Sequence, residues 1–176
     1  INANREYKKI TDIPECVQNA FVAIEDARFY KHSGVDLQGI LRAVFSALSD
    51  EKVTQGASTI TQQLLKNQVF GGGNEKSFFG KVSRKIQEQS LAIKLESTID
   101  KKKILEYYLN TINLGQNTVG VETASKRYFG KSVSKLTVSE AAVLAGITQN
   151  PTEYNPITEQ QNNEAKRKII LKNMLD

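Results

Sequence analysis

The sequence predicts a mainly α-helical domain, and three observations carry that prediction. Apolar residues recur at i, i+3, i+4 and i+7 through most of the chain. Capping residues and terminating glycines stand at the ends of those segments: Thr137 with Glu140 as a capping box, Asp100 ahead of a lysine-led run, Gly115 and Gly130 behind periodic stretches. No strand-like alternation of useful length and no internal repeat interrupts the pattern. With 176 residues and 39% apolar content, the chain can bury one proper core, with room for a small second lobe.

The formal charge of +5 fits a partner that carries phosphates or an anionic membrane surface. One cysteine, Cys16, rules out an internal disulfide, and its place in an apolar helix predicts a buried thiol. No run of 18 apolar residues is present and the first residues are polar, so the sequence shows neither a membrane span nor a signal peptide. A start at Ile1 rather than Met is expected of a piece of a longer protein.

Residues 1–13 read as an irregular or extended lead-in. Val17, Ala20, Phe21 and Ile24 then recur at helical spacing behind Pro14, and the segment ends in IEDARFYKHSGVD. Glu25 falls at the margin of the apolar face, where partial desolvation makes a carboxylate a better proton acceptor. Asp26 is expected on the opposite, wet side. Leu37, Ile40, Leu41, Val44, Phe45 and Leu48 form an amphipathic helix that either packs in the core or lies in a membrane interface.

In QGASTITQQLLKNQVF, Ser58 or Thr59 caps a helix that carries Gln62, Gln63, Lys66 and Asn67. Backbone amides and an ammonium there suit an anion. Residues 71–80, GGGNEKSFFG, read as a flexible loop presenting Phe78 and Phe79. Residues 81–99 read as a long helix with apolar residues on two faces, hence largely buried and central. Glu88 heads one of those stripes, four residues after Arg84, which calls for an ion pair or a function. Further helices follow from Asp100 to a turn at 115–120, from Val121 to Gly130, from Thr137 to Ile147, and from 160 to 175, with Pro151 and Pro156 bracketing a loop.

The segments EDARFYKHSG, GASTITQQLLKN, RKIQEQSLAIKLE, KKKILEYYLNTINLG and SEAAVLAGITQNPTEYNP, in this order, resemble the motifs of the family 51 glycosyltransferases. These are the peptidoglycan glycosyltransferase domains of class A penicillin-binding proteins and of monofunctional transglycosylases. The resemblance covers residues 14–156 and implies a lysozyme-like helical globular lobe with a small membrane-associated jaw lobe, here about residues 37–80 of a single 1–176 domain. It tips the 37–48 helix toward membrane contact.

The resemblance further implies polymerisation of lipid II, with a growing glycan strand as second substrate, at the extracytoplasmic face of the cytoplasmic membrane. A transmembrane anchor is expected in the full-length protein, as is a transpeptidase domain if the parent is bifunctional; nucleic acid is not an expected partner. By similarity Glu25 is the general base and Glu88 assists departure of the diphosphate, directly or through a divalent cation such as Mg2+ or Mn2+, with no cofactor firmly required. Ser58, Gln63, Lys66, Arg84 and Lys85 match positions that hold diphosphate and sugars. Gln62, Asn67, Lys81 and Asp26 complete the binding set, Asp26 at its edge. His32 is expected to orient its loop, and Glu106 and Asn110 to be architectural.

The turn GQNTVG departs from the usual pattern, in which a second early glycine and a tyrosine are more familiar. Ser49–Lys52 and Ser132–Lys135 match S-x-x-K by chance, because the SDN and KTG partners of a penicillin-binding site are missing from this sequence. Two rivals stand beside this reading. One is a lysozyme-like hydrolase or lytic transglycosylase acting on finished glycan. The other is a non-catalytic basic module.

Overall fold

The first long helix is built around residues that cannot stay in water. In the computed structural model, which describes residues 6–48, 56–73 and 75–175, α1 (Glu15–Glu25) buries Val17, Ala20, Phe21 and Ile24 completely. A short 3-10 turn, Ile10–Asp12, precedes it where an irregular lead-in was expected. The chain continues through α2 (Leu37–Leu48), α3 (Ile60–Gln68), α4 (Phe78–Glu96), α5 (Lys101–Thr111), α6 (Val121–Phe129), α7 (Val138–Ile147) and α8 (Gln160–Asn173). Among the described residues no strand forms; a single bridge pairs Asn113 with Val119. The mainly helical class read from the sequence is the class observed.

α1 is clasped by α7 and α8 on one side, while α3 and α5 pack together and α4 lies along α3. The core joins Phe21 and Ile24 to Ile104, Leu105, Tyr108 and Leu109 of α5 and to Leu144 and Ile147 of α7. Each such side chain contributes about 1.5–3 kcal/mol by leaving water. Small residues let α7 approach closely: Ala141, Ala142 and Ala145 are fully buried. The caps form as expected, with Thr59 accepting from the Gln62 amide, Asp100 from that of Lys103, and Thr137 and Glu140 closing a capping box. At the 115–120 turn Gln116 and Asn117 both hold left-handed backbone, as a two-residue I′-type hairpin requires, and the Thr118 amide closes it on Gly115 O at 2.8 Å.

Three expectations are corrected. α4 is not a buried central helix: only Glu88 and Ala92 are buried along it, while Val82, Ile86, Leu91 and Ile93 face out. One of its two apolar stripes therefore has no protein cover among the described residues. The helix also begins earlier than read, so Phe78 and Phe79 lie in its first turn, 75% and 83% exposed. The thiol of Cys16 is only partly buried, 3.8 Å from Leu136 O. On the apolar face of α2, Leu37 and Leu41 are 70% and 58% exposed among the described residues, so core packing does not account for that face. The Ser49–Lys52 match, together with residues 49–55 and 74 of the expected jaw segment, lies outside the described residues.

Two buried carboxylates hold the periphery. Glu106 receives Tyr7, the Ile10 amide at 2.7 Å and Lys103, and Glu122 receives the Val133 amide at 2.8 Å and Ser132 at 3.0 Å, with Lys8 and Lys126 beside it. Burial alone raises both pKa values, but these partners outweigh it and hold both below the ordinary glutamate range. With Asn110, which grips both Lys8 N and Lys8 O at 2.8 Å, Glu106 is architectural as read. A depressed folded-state pKa makes the contribution complete above the unfolded value near pH 4.3 and lost as pH falls through the folded value. Glu122→Gln should therefore cost about 1–3 kcal/mol at pH 7 and flatten the loss of stability between roughly pH 5 and pH 3, as read by denaturant titration at each pH.

Candidate active site

Glu25 ends α1 and is only 8% exposed. Its carboxylate is held from two directions. Gln63 of α3 donates through Nε2 to Oε2 at 2.7 Å, and the Thr148 hydroxyl, just beyond α7, donates to Oε1. Behind Gln63, the Tyr108 hydroxyl of α5 donates to the amide oxygen at 3.2 Å. Burial, reinforced by the charges of Glu25 and Asp26, pushes the Tyr108 phenol well above its ordinary pKa, so it remains a donor. That donor fixes the amide with its NH2 toward Glu25.

Asp26 does not point to water. It is buried, its oxygens lie 3.0 Å from His32 Nε2, and Oδ2 accepts the Ile60 amide at 3.0 Å. It is thus the anion at the N-terminus of α3, where an external one was anticipated. Lys101 stands 3.4 Å from His32 Nδ1 and 4.3 Å over the Phe29 ring, so Nδ1 accepts and Nε2–H donates to Asp26. His32 orients its loop, as read. Two residues on, Gly34 is indispensable: at φ +89 a Cβ would lie 2.5 Å from the Ala92 carbonyl carbon. Its own carbonyl accepts from Thr59 at 2.8 Å and Gln62 at 3.2 Å, which locks the loop after Glu25 onto α3 and α4.

The opposite wall carries the cations. Lys85 Nζ reaches Ser58 Oγ at 2.9 Å, Gln62 Oε1 at 2.8 Å and Glu88 Oε2 at 3.4 Å. Arg84 pairs with Glu88 and, through Nε, with Glu75 at 2.6 Å, so the predicted Arg84–Glu88 pair exists. Burial lowers the Lys85 pKa against the pull of Glu88, while Glu75 raises that of Arg84. Gly73 packs on this pair, its hydrogen facing Lys66 Cε and Arg84 Cζ where a Cβ would come within 2.9 Å. Glu25, Ser58, Gln62, Gln63, Lys66, Asn67 and Glu88 line one cleft of about 790 Å³. Arg84 and Lys85 reach it through Glu88 and Ser58. Lys81 is exposed on the first turns of α4 and does not line the cleft.

Among the described residues no three His, Cys, Asp or Glu side chains gather closely enough to hold a metal ion, and the two carboxylates of the cleft are engaged by protein donors.

A family model described as Transglycosylase matches residues 1–175 of this chain. The chain belongs to the transglycosylase family. It is 46% identical over 172 residues to penicillin-binding protein 1A of Neisseria lactamica and to that of Neisseria gonorrhoeae, covering 98% of this chain and 21% of each of those proteins. With penicillin-binding protein 1A of Haemophilus influenzae it shares 45% over 168 residues, 96% of this chain and 19% of that protein. The chain spans about a fifth of the length of these relatives. Glycosyl transfer in peptidoglycan synthesis is the family-level activity.

Several parts of this cleft were not singled out in the sequence. Thr148, Gln149, Asn113 and Pro151 line it from turns read only as helix ends or loops. Tyr108 was read as one member of an apolar stripe. Lys166 of α8 is 8% exposed and donates to Gln149 Oε1; burial lowers its pKa, opposed by Glu25 and Glu153. A lone lysine in a basic helix gives no sequence signal of burial. Tyr108→Phe in this transglycosylase should lower kcat about threefold to tenfold, the worth of one neutral hydrogen bond, with KM nearly unchanged, as read by steady-state glycan synthesis.

Proposed function

We propose that the chain polymerises lipid II into β-1,4-linked glycan by inverting transfer, releasing a polyprenyl diphosphate. The observation that carries this reading is that the nearly buried Glu25 lines one cleft with Lys66 and with Glu88, which Arg84 and Lys85 hold from behind. Glu25 accepts the proton of the 4-hydroxyl of the acceptor GlcNAc while that oxygen attacks C1 of the donor. The C1–O bond to the diphosphate breaks, its electron pair leaves with the diphosphate, and attack from the opposite face turns the α linkage into β. The leaving group is already a weak base, so cations serve it better than a strong general acid, which separates this chemistry from glycoside hydrolysis. Lys66, Arg84 and Lys85 take the developing charge, the arginine as a fork and the lysines as point charges. Glu88, 1% exposed, aims Arg84 and Lys85 and so assists departure.

Labelled lipid II with wild type, Glu25→Gln and Glu88→Gln, resolved on gels, tests the reading. Glu25→Gln should lower kcat on the order of 10²-fold or more. Shortening of finished glycan by the wild type, with no lengthening from lipid II, would establish the hydrolase or lytic alternative instead. A phosphoglycolipid of the moenomycin type should block the wild-type reaction.

The open apolar faces of α2 and α4 are the proposed jaw, resting on the outer surface of the cytoplasmic membrane. Leu41 and Phe45 on one and Phe78, Phe79, Val82 and Ile86 on the other supply the apolar area, although no helix among the described residues is long and apolar enough to cross a membrane. A membrane anchor and a transpeptidase domain in the parent chain complete the proposal. Phe78→Ser with Phe79→Ser should weaken binding to anionic phospholipid vesicles at least about tenfold in sedimentation, from the apolar area removed. Unchanged sedimentation would remove α4 from the membrane face.

A further inference from the structure

Arg84 meets two acids, and the two are not equivalent. Its Nε–H donates to Glu75 Oε2 at 2.6 Å, and its Nη1 donates to Glu88. A guanidinium has two forked edges, Nε with Nη2 and Nη1 with Nη2, and here one prong of each is taken. A phosphate therefore gains neither fork whole until a carboxylate gives way. Glu88 is held in place: its side chain is 2% exposed, and Lys85 Nζ lies 3.4 Å from its other oxygen. The Glu75 side chain is 29% exposed, and among the described residues Arg84 is its only ion-pair partner.

The backbone is shaped to bring that exposed acid to the arginine. Gly80, in the first turn of α4, lies against the Glu75 stem, and a Cβ there would stand 3.3 Å from Glu75 Cβ. It would also stand 2.9 Å from Oγ of Ser77, the residue that caps the helix. Gly73 leaves Arg84 and Lys66 side by side, each 2.9 Å from where its own Cβ would be. The Arg84 hydrogen bond, with the charges of Arg84 and Lys66, holds the Glu75 carboxyl below the ordinary glutamate range. At neutral pH an anion belonging to the protein thus stands beside Arg84 and Lys66, and Lys66 lines the cleft.

We infer that Glu75 is an internal competitor for the diphosphate: its carboxylate holds a place on Arg84 that a diphosphate takes, gives it up on entry, and returns to it as the diphosphate leaves. The inference rests on the diphosphate reading of this wall and adds how the wall lets go. Cations that stabilise a departing diphosphate also retain it once the bond has broken. A carboxylate tethered two residues ahead of the helix cap is always at hand to reclaim Arg84, so it weakens the hold on the product without removing a cation.

The test is calorimetric titration of the wild-type chain and of Glu75→Gln with inorganic pyrophosphate. Glu75→Gln should bind about threefold to fivefold more tightly, because a partly exposed ion pair no longer has to be broken. In NMR the Arg84 Nε–H signal of the wild type should move as pyrophosphate enters. Added pyrophosphate should also inhibit glycan synthesis by Glu75→Gln at about a threefold lower concentration than it inhibits the wild type. Pyrophosphate that binds both chains alike, or neither, overturns the inference. So does a gain in affinity while the Arg84 signal stays still, which is the work of net charge alone. Tighter binding with a moving Arg84 signal, in a chain that never lengthens lipid II, sustains the exchange and sinks the synthase reading; lengthening with equal pyrophosphate affinities does the reverse.

Discussion

The carboxylate of Glu25 is the point at which four helices are made to agree. Its two hydrogen-bond donors come from 38 and 123 residues away in sequence, one on α3 and one just past α7. Neither donor is free to wander. Gln63 is turned by Tyr108, whose ring meets Phe21 edge-on at 6.5 Å in the core, and the Thr148 amide bonds back to Ala145 O at 3.4 Å, so its place follows from α7. The acid is thus fixed by the same core that makes the domain fold, and a shift in helix packing is felt directly at this carboxylate, the proposed proton acceptor.

A second set of contacts keeps the two walls of the cleft at a fixed separation. Asp26 ties the end of α1 to the start of α3 through the Ile60 amide and to α5 through His32 and Lys101. Gly34 presses backbone to backbone on α4 at Ala92. Polar groups buried this deeply cost free energy unless every one finds a partner, and here the partners lie on different helices. The buried network therefore specifies one relative placement of α1, α3, α4 and α5, which a purely apolar contact would leave free to slide.

What the sequence could and could not show follows from the range of each interaction. Periodicity and capping are local, so α2, α3, α6 and α7 were found within a residue or two, α5 was read past its end at Thr111 to the turn at Gly115, and Glu25 was placed at a desolvated boundary from its neighbours at i−1 and i−4. Asp26 was misplaced by the same helical wheel, because α1 ends at Glu25 and the next residue, at φ −159°, leaves the helix and turns inward. α4 was misjudged because two apolar stripes do not say what covers them; in this chain one stripe has protein behind it and the other does not. Thr148, Gln149 and Lys166 carry no local signature at all. They matter only because α7 and α8 return beside α1, and a single sequence does not encode that juxtaposition in its periodicity.

The cation wall shows why the same residues have to be read as a balanced set. Lys66, Arg84 and Lys85 stand among Glu25, Glu75 and Glu88, three cations with three carboxylates, and Arg84 spends its fork on two of those acids. In the proposed reaction a dianion entering the cleft meets an arginine already bound, so its affinity is what remains after a protein ion pair is exchanged for a new one. The three carboxylates are not equal in that exchange. Glu88 is anchored on α4 by Arg84 and Lys85 together and Glu25 by its two donors, whereas Glu75 sits in the connection before α4, bound to Arg84 and partly exposed. On the proposed function the exchange falls on the Glu75–Arg84 pair, beside which Gly73 leaves room for both Lys66 and Arg84.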